Sequence, residues 1–314
     1  MIGLKLDGIH HITCITSDGP RNAEFYVGLL GLRLVKKTVN FDMPEAYHLY
    51  YGDEGGSPGG ILTFFEFPGV ERGRAGAGMI HRLLWRVRSA ASLAHWRERL
   101  SSNGIEPSGN HASLRFQDPE GLWHELVIDD SGDPPLTADA EGIPAERRIE
   151  GFEGVRALHR EPASSEELLV RTLGFEGGGD HGYGLRGETR SASYSYDEAS
   201  GSPGLQGAGT VHHIAWACRP DDQPAWQQRV RDAGAGVTDI LDRKYFTSIY
   251  FREPSGVLFE IATIGPGFAV DEPAESLGEA LKLPEWHEHL RPRLERTLRA
   301  IEPIRPGAGS RRSA

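Results

Sequence analysis

Residues 8–16 alternate in polarity and are rich in isoleucine and threonine, which predicts a strand with positions 9, 11, 13 and 15 on one face. Asp18, Gly19 and Pro20 then mark a turn and a helix start. Ala23, Phe25, Tyr26, Leu29 and Leu30 recur at helical spacing until Gly31 closes the run. Three more strands are predicted at 32–38, 47–51 and 60–67. The unit is strand, helix, three strands.

The same order returns three times. In the second copy a strand at 79–87 leads to a helix at 89–102 that ends near Asn103 and Gly104. Strands at 113–117 and 122–128 follow, parted by the turn Asp118, Pro119, Glu120, Gly121. Residues 129–150, rich in Asp, Pro, Ala and Glu, read as a connector that buries little. The third copy opens at 154–158, where Gly154 aligns with Gly8. Its helix is expected from Ser164 to Leu173, with Ser164 or Ser165 as cap and Glu166 and Glu167 in the first turn. The fourth runs from Val211 through a helix near 224–233 to strands ending at Thr263. Repeats of about 50 to 60 residues make this an α+β chain of four βαβββ modules. The expected division is a two-module domain at 1–130, a linker at 131–150, and a second two-module domain at 151–268. An extension at 269–301 carries a helix over 286–301, and 302–314 form a disordered tail.

With 314 residues the chain has room for two domains and a sizeable core. A net charge of −11, with no basic cluster beyond Arg311 and Arg312, argues against a nucleic-acid surface. No apolar run approaches bilayer length, and a strand pattern follows Met1 closely, so neither membrane span nor signal peptide is expected. Cys14 and Cys218 occupy corresponding places in copies one and four. They read as small strand-packing residues, and a reducing cytoplasm is the expected location.

The candidate chemistry lies in two histidine pairs, His10-His11 and His212-His213, at equivalent places in the first and fourth copies. Aligning the copies puts His11, Arg82, Ala157 and His213 at one inward position. Glu125 and Glu260 each stand four residues after a glycine, at a second position. In copy one that second slot falls on Phe64, or on Thr63 if the register slips by one. His11, His213 and Glu260 are therefore expected to meet and hold one divalent metal. Two imidazoles and a carboxylate on one side of an ion suit iron(II) and leave positions open for substrate and oxygen. Manganese(II) is the alternative, and other divalent ions can be scavenged because affinity alone does not select iron. Arg82, Glu125 and Ala157 form a degenerate twin of this site.

The stretches LDGIHHIT, KKTVNFD, YHLYYGDEGGSPG, GTVHHIAWA, DRKYFTSIYFREPSG and LFEIATIGPGF extend the pattern. Together with the modules they resemble the vicinal oxygen chelate (glyoxalase/bleomycin resistance/dioxygenase) superfamily, and within it hydroquinone-type ring-cleaving dioxygenases, over residues 5–268. The resemblance implies two glyoxalase-like domains with curved mixed sheets around a metal site ligated by His11, His213 and Glu260. It implies His10, Thr13, His212, Arg243 and Tyr250 as active-site neighbours. The implied activity is iron(II)-dependent, extradiol-type cleavage of a hydroquinone or catechol-like ring with O2, in aromatic-compound degradation, with a homo-oligomer left open. His212 and Tyr250 would handle protons and Arg243 would orient an anionic or halogenated ring. His10 and Thr13 would hydrogen-bond substrate or groups around the ligands.

Plainer readings stand beside these. In a straight strand His10 and His212 point away from the ligand face and could simply pack. Arg243 could pair with Asp242 or Glu253, and Tyr250 could be a core residue. His48 reads as structural, and Trp85, Trp123 and Trp216 as core. The rival functions are a metal-dependent, glyoxalase-like isomerase or epimerase and a non-enzymatic metabolite-binding protein of the same fold. A fourth protein ligand would favour the isomerase; absence of the triad would favour the binding protein.

Overall fold

A computed structural model describes residues 3–302 apart from 178, 200 and 202; the expected tail at 303–314 lies outside the described residues. Two eight-stranded mixed sheets carry the fold. In the first, the order is Leu241–Asp242, Thr247–Arg252, Leu258–Thr263, Val211–Cys218, Ile9–Thr16, Ile61–Glu66, Met43–Gly52, Arg33–Asn40. The second runs Glu176–Gly177, Gly182–Arg186, Ser191–Glu198, Ile149–His159, Met79–Val87, Trp123–Ile128, Ser113–Gln117, Ser108–Gly109. The first sheet joins modules one and four, and its sister joins modules two and three. Each sheet thus crosses the division at 131–150 instead of lying within one half.

In both sheets the two opening strands pair antiparallel at the centre, and each is flanked by the closing strand of its own module, in parallel. Central strands covered on both faces should be apolar throughout. Ile9–Thr16 is buried along its whole length. Tyr26, on the first helix, packs on Tyr51 and Phe64 of the first sheet and on His124 of the sister. Its hydroxyl donates to Asp118 at 2.9 Å, so one residue ties three elements.

The predicted helices differ in kind. Ala90–Ser102 is an ordinary α-helix capped by Ser89, which accepts from the Ser92 N–H. In modules one and three the turns widen instead: Leu30 N–H reaches Phe25 O at 3.0 Å, and Leu173 N–H reaches Leu168 O at 2.9 Å. Such five-residue turns let the consecutive residues Phe25 to Leu29 all be buried.

Three expectations need correction. The connector does bury apolar surface: Ala138, Ala140 and Ile143 are in the core. Gly31, at φ +73°, makes room for them, since a Cβ there would stand 2.6 Å from Ile143 Cδ1. Trp123 is 39 % exposed at the start of its strand, not core. The single terminal helix is a tight turn, Glu285–Leu290, followed by a separate helix, Arg291–Thr297. Pro292, lacking an N–H, starts the second helix and cannot continue the first. The extension also clasps modules one and four. Phe268 packs on Tyr50 and Tyr245, while the buried Lys36 donates to Asp271 at 2.7 Å and to Glu272.

Candidate metal centre and cavity

The site begins with two irregularities in the central strand pair. Ile9 faces Trp216 and His11 faces Ala215, so His10 is an extra residue. Thr13 faces His213 and Cys14 faces Val211, so His212 is one too. Each is a β-bulge, related to the other by the pseudo-twofold through Ile12 and Ile214. A bulge re-aims a side chain that strict alternation would send to the opposite face. His10 Nδ1 thus meets His11 Nδ1 at 2.9 Å, and His212 Nδ1 meets His213 Nδ1 at 2.8 Å.

For His11 those contacts settle which nitrogen faces Glu260 and His213. His10 Nε2 lies 3.1 Å from the Thr263 carbonyl and must donate to it. Its Nδ1 then accepts from His11 Nδ1–H, which leaves the His11 Nε2 lone pair free. Burial, then neighbouring His11, lowers the His10 pKa to about 3, so it is neutral. His212 has its pKa lowered to about 3 in the same way, by burial and then His213. Beyond the His212 contact the copies differ: among the described residues no acceptor meets His212 Nε2, and its ring lines a cavity.

His11 Nε2, His213 Nε2 and Glu260 Oε2 converge. The separations are 3.3 Å between the nitrogens, 3.3 Å from His11 to Oε2 and 2.9 Å from His213 to Oε2. Glu260 is fully buried; its Oε1 accepts from the Ser248 hydroxyl, but Oε2 has no hydrogen-bond donor. A His11 Nε2 lone pair 3.3 Å from a buried carboxylate oxygen is repulsive unless a cation lies between them. Ligand atoms about 2.1 Å from one ion at right angles stand ~3.0 Å apart, close to what is observed. The residues fit a divalent metal.

A cavity of about 360 Å³ opens beside the triad. Phe41, Phe65, Phe67, Phe246, Leu241 and Leu258 make its apolar walls; His48, Tyr50, His212, Arg243 and Tyr250 supply polar groups. Arg243 Nε donates to Tyr250 Oη at 3.3 Å, and Arg243 also pairs with Asp42 at 3.1 Å across the mouth. Its partner is therefore neither Asp242 nor Glu253. Burial, then Glu260, raises the Tyr250 pKa, so the phenol keeps its proton. His212, Arg243 and Tyr250 thus face the cavity, whereas His10 and Thr13 lie behind it.

The register decides the open slot. Ala215 pairs with Glu260 in module four, and Thr13, the equivalent of Ala215, pairs with Thr63. Thr63, not Phe64, therefore stands where Glu260 stands in the other module. The same logic relates Tyr50 to Tyr250 and His48 to Ser248, since Tyr50 pairs with Thr63 and Tyr250 with Glu260. His48, expected to be structural, lines the cavity with Tyr50. Comparing the third strands of the copies, and not only the first and last, would have flagged both.

Against known proteins, the sequence profile of the Glyoxalase/Bleomycin resistance protein/Dioxygenase superfamily matches residues 8–126 and 154–261. The chain belongs to that superfamily. MhqO of Bacillus subtilis, described as a candidate ring-cleaving dioxygenase, is 42 % identical over 307 residues, covering 95 % of this chain and 97 % of its own. The chlorohydroquinone/hydroquinone 1,2-dioxygenase of Sphingobium indicum is 32 % identical over 314 residues, 94 % of this chain and 96 % of its own. A crystal structure of a candidate dioxygenase from Bacillus subtilis superposes with a TM-score of 0.89 at 39 % identity, covering 96 % of this chain and all of that one. The superfamily member described here is an enzyme of the ring-cleaving dioxygenase group. No helix among its described residues is long and apolar enough to cross a membrane.

Proposed function

We propose that the protein is an iron(II)-dependent, extradiol-type dioxygenase that opens a hydroquinone or catechol-like ring, with His11, His213 and Glu260 as its metal ligands. Manganese(II) is the alternative metal. The observation that carries the reading is a buried triad of exactly one carboxylate and two imidazoles, beside an aromatic-walled cavity sized for a single ring. Bound iron(II) would supply positions for an ionised ring oxygen and for O2, and electron transfer between them.

The chain's own groups do the rest. Phe65 and Phe246 wall the space for a flat ring, and Phe246 packs edge-on to His10 and tilted against His11, which keeps that ligand in place. Arg243 places positive charge at the cavity, where an anionic ring gains most. His212 Nε2, which meets no acceptor among the described residues, is the proton-handling group, and Tyr250 stays protonated beside it. His10 acts from behind, through the His11 ring. Thr63 accepts from His48 and donates to Thr13, so its hydroxyl is committed and the fourth slot stays without a ligand, which counts against the isomerase reading. Residues 1–130 and 151–268 are read as duplicated halves, and the buried, unpaired Cys14 and Cys218 suit a reducing cytoplasm.

The test is oxygen uptake by anaerobically iron-loaded protein with a panel of hydroquinones and catechols. Uptake that vanishes in His213→Ala supports the proposal. Turnover that persists without oxygen would replace it with isomerisation.

A further inference from the structure

Beyond the last module strand, Leu258–Thr263, the chain runs back along Arg33–Asn40, and one acid in that return segment reaches both walls of the cavity. Asp271 accepts from Lys36 Nζ at 2.7 Å through Oδ1 and from the Tyr245 hydroxyl at 3.1 Å through Oδ2. Lys36 is fully buried and belongs to module one. Tyr245 is fully buried too, in the module-four turn that carries Arg243 and Phe246 into the cavity. Burial, then the Asp271 carboxylate, raises the Tyr245 pKa, so the phenol holds its proton and donates it to Asp271. The Lys36 ammonium stands 5.0 Å over the Tyr245 ring, and Thr38, on the same strand, turns its hydroxyl toward that phenol. The turn itself is strained: Lys244, between Arg243 and Tyr245, has φ +63°, a left-handed backbone that residues with side chains rarely adopt. Its Nζ is shared between Glu285 at 2.7 Å and Asp271 at 3.9 Å, and Gly267 N–H donates to the Tyr245 carbonyl at 2.9 Å.

We propose that Asp271 is a positioning residue that joins the two walls of the cavity from behind and aims Arg243 and Phe246 into it. Arg243 and Phe246 lie on either side of Tyr245 in the chain, so whatever fixes the Tyr245 ring fixes both. A side chain that orients a ligand does so only when its own backbone is held, and a strained turn is held from outside. The neighbouring acid has a different part. Glu272 shares the Lys36 ammonium but makes its other contact with the Gly278 N–H, away from the turn. Glu272 therefore fastens the return segment to module one, whereas Asp271 fastens module one to module four. The inference rests on the ring-cleavage reading for what the cavity holds; the anchoring of the turn does not depend on it.

The test compares Asp271→Ala and Tyr245→Phe with Glu272→Gln and the wild-type full chain. Lys36 keeps Glu272 as a partner in Asp271→Ala, and Tyr245→Phe removes a single hydroxyl, so the second variant folds even if the first does not. Backbone amide exchange, read by mass spectrometry on peptides spanning residues 243–246, should be ~5-fold faster or more in both. Glu272→Gln should lower Tm and leave that exchange unchanged. Oxygen uptake by the iron-loaded chains with hydroquinone should show KM raised about threefold to tenfold in Asp271→Ala and Tyr245→Phe, with kcat per bound metal within about twofold of wild type. Unchanged exchange and KM in both would mean that the turn holds itself, and would overturn the inference while leaving ring cleavage standing. Faster exchange with KM unchanged would make Asp271 a structural tie alone, and equal acceleration in Glu272→Gln would make it one part of a general clasp; either result overturns the inference. No uptake by the iron-loaded wild-type chain would overturn the ring-cleavage reading, and the exchange measurement would still decide the anchoring.

Discussion

The two sheets are built on one plan, yet among the described residues only one of them gathers two histidines and a glutamate that could hold a metal. In the sister sheet the ladder skips His81 and Glu153, at the places where the first sheet skips His212 and His10. Leu83 and Val155 stand at the centre as Ile214 and Ile12 do. This makes Arg82 the counterpart of His213, and Gly154, not Ala157, the counterpart of His11. The alignment on Gly8 and Gly154 slips by three because a lone glycine is a poor anchor for register. Glu125 keeps the place of Glu260, but Arg82 and Arg115 each bind it at 2.9 Å. The comparison teaches that the neighbours of a retained carboxylate decide its role: faced by imidazole nitrogens, it joins a candidate metal site. Faced by guanidinium groups, it is an ion pair.

The largest expected contrast is between those two carboxylates. Glu260→Gln should lower oxygen uptake ~100-fold or more and strip the metal. Glu125→Gln should leave both unchanged and only lower Tm modestly. Loss of metal in the Glu125 variant would place the centre in the wrong sheet.

Next come the bulge residues. His10→Leu removes the acceptor that orients His11 and should weaken metal affinity roughly 10–100-fold, read by competition with a chelating dye. Its counterpart Glu153 binds Arg86 at 2.9 Å, so Glu153→Gln should alter stability and not affinity.

A smaller effect separates the turn acids that precede the closing strands. Asp118 accepts from the N–H groups of Glu120 and Leu122, and Glu253 from those of Ser255 and Val257. Burial pushes the Asp118 pKa up to about 6. A raised carboxyl binds its proton more tightly in the folded state. The stability it contributes is thus full below about pH 4 and lost as pH rises through about 6, at most about 3 kcal/mol. The Tm of Asp118→Asn, measured relative to wild type, should therefore climb between pH 4.5 and 7. A constant difference would refute the assignment.

The smallest expected change is Gly154→Ala, which should cost about 1–3 kcal/mol in a denaturant melt. A Cβ on Gly154 would lie 2.2 Å from the Ser193 carbonyl oxygen, so the sister sheet has no room for even the first carbon of a histidine. No stability loss would mean that the strands can part there.

Most of the strands were legible because alternation with β-branched residues is a local property; the strand Met79–Val87 and the helix at Ala90–Ser102 came through almost residue for residue. The triad was legible because His11, His213 and Glu260 recur at equivalent places in repeats, which a comparison of copies detects without coordinates. His48 was not, since its meaning depends on Thr63 across the ladder, and a one-residue slip had left Phe64 in that place. The connector misled because its composition is that of a loop, while its few apolar residues find a glycine to pack against.

The sequence by itself determined the four-module plan, the residue types able to bind metal and the acidic balance of the chain. Periodicity and repetition are written along the chain and need no partner to be read. Only the tertiary structure decided that module one pairs with module four, that bulges turn His10 and His212 onto their neighbours, and that His48 and Tyr50 line the same cavity as Tyr250. Those features are set by register and hydrogen-bond direction between strands far apart in sequence, and neither leaves a mark on one strand alone.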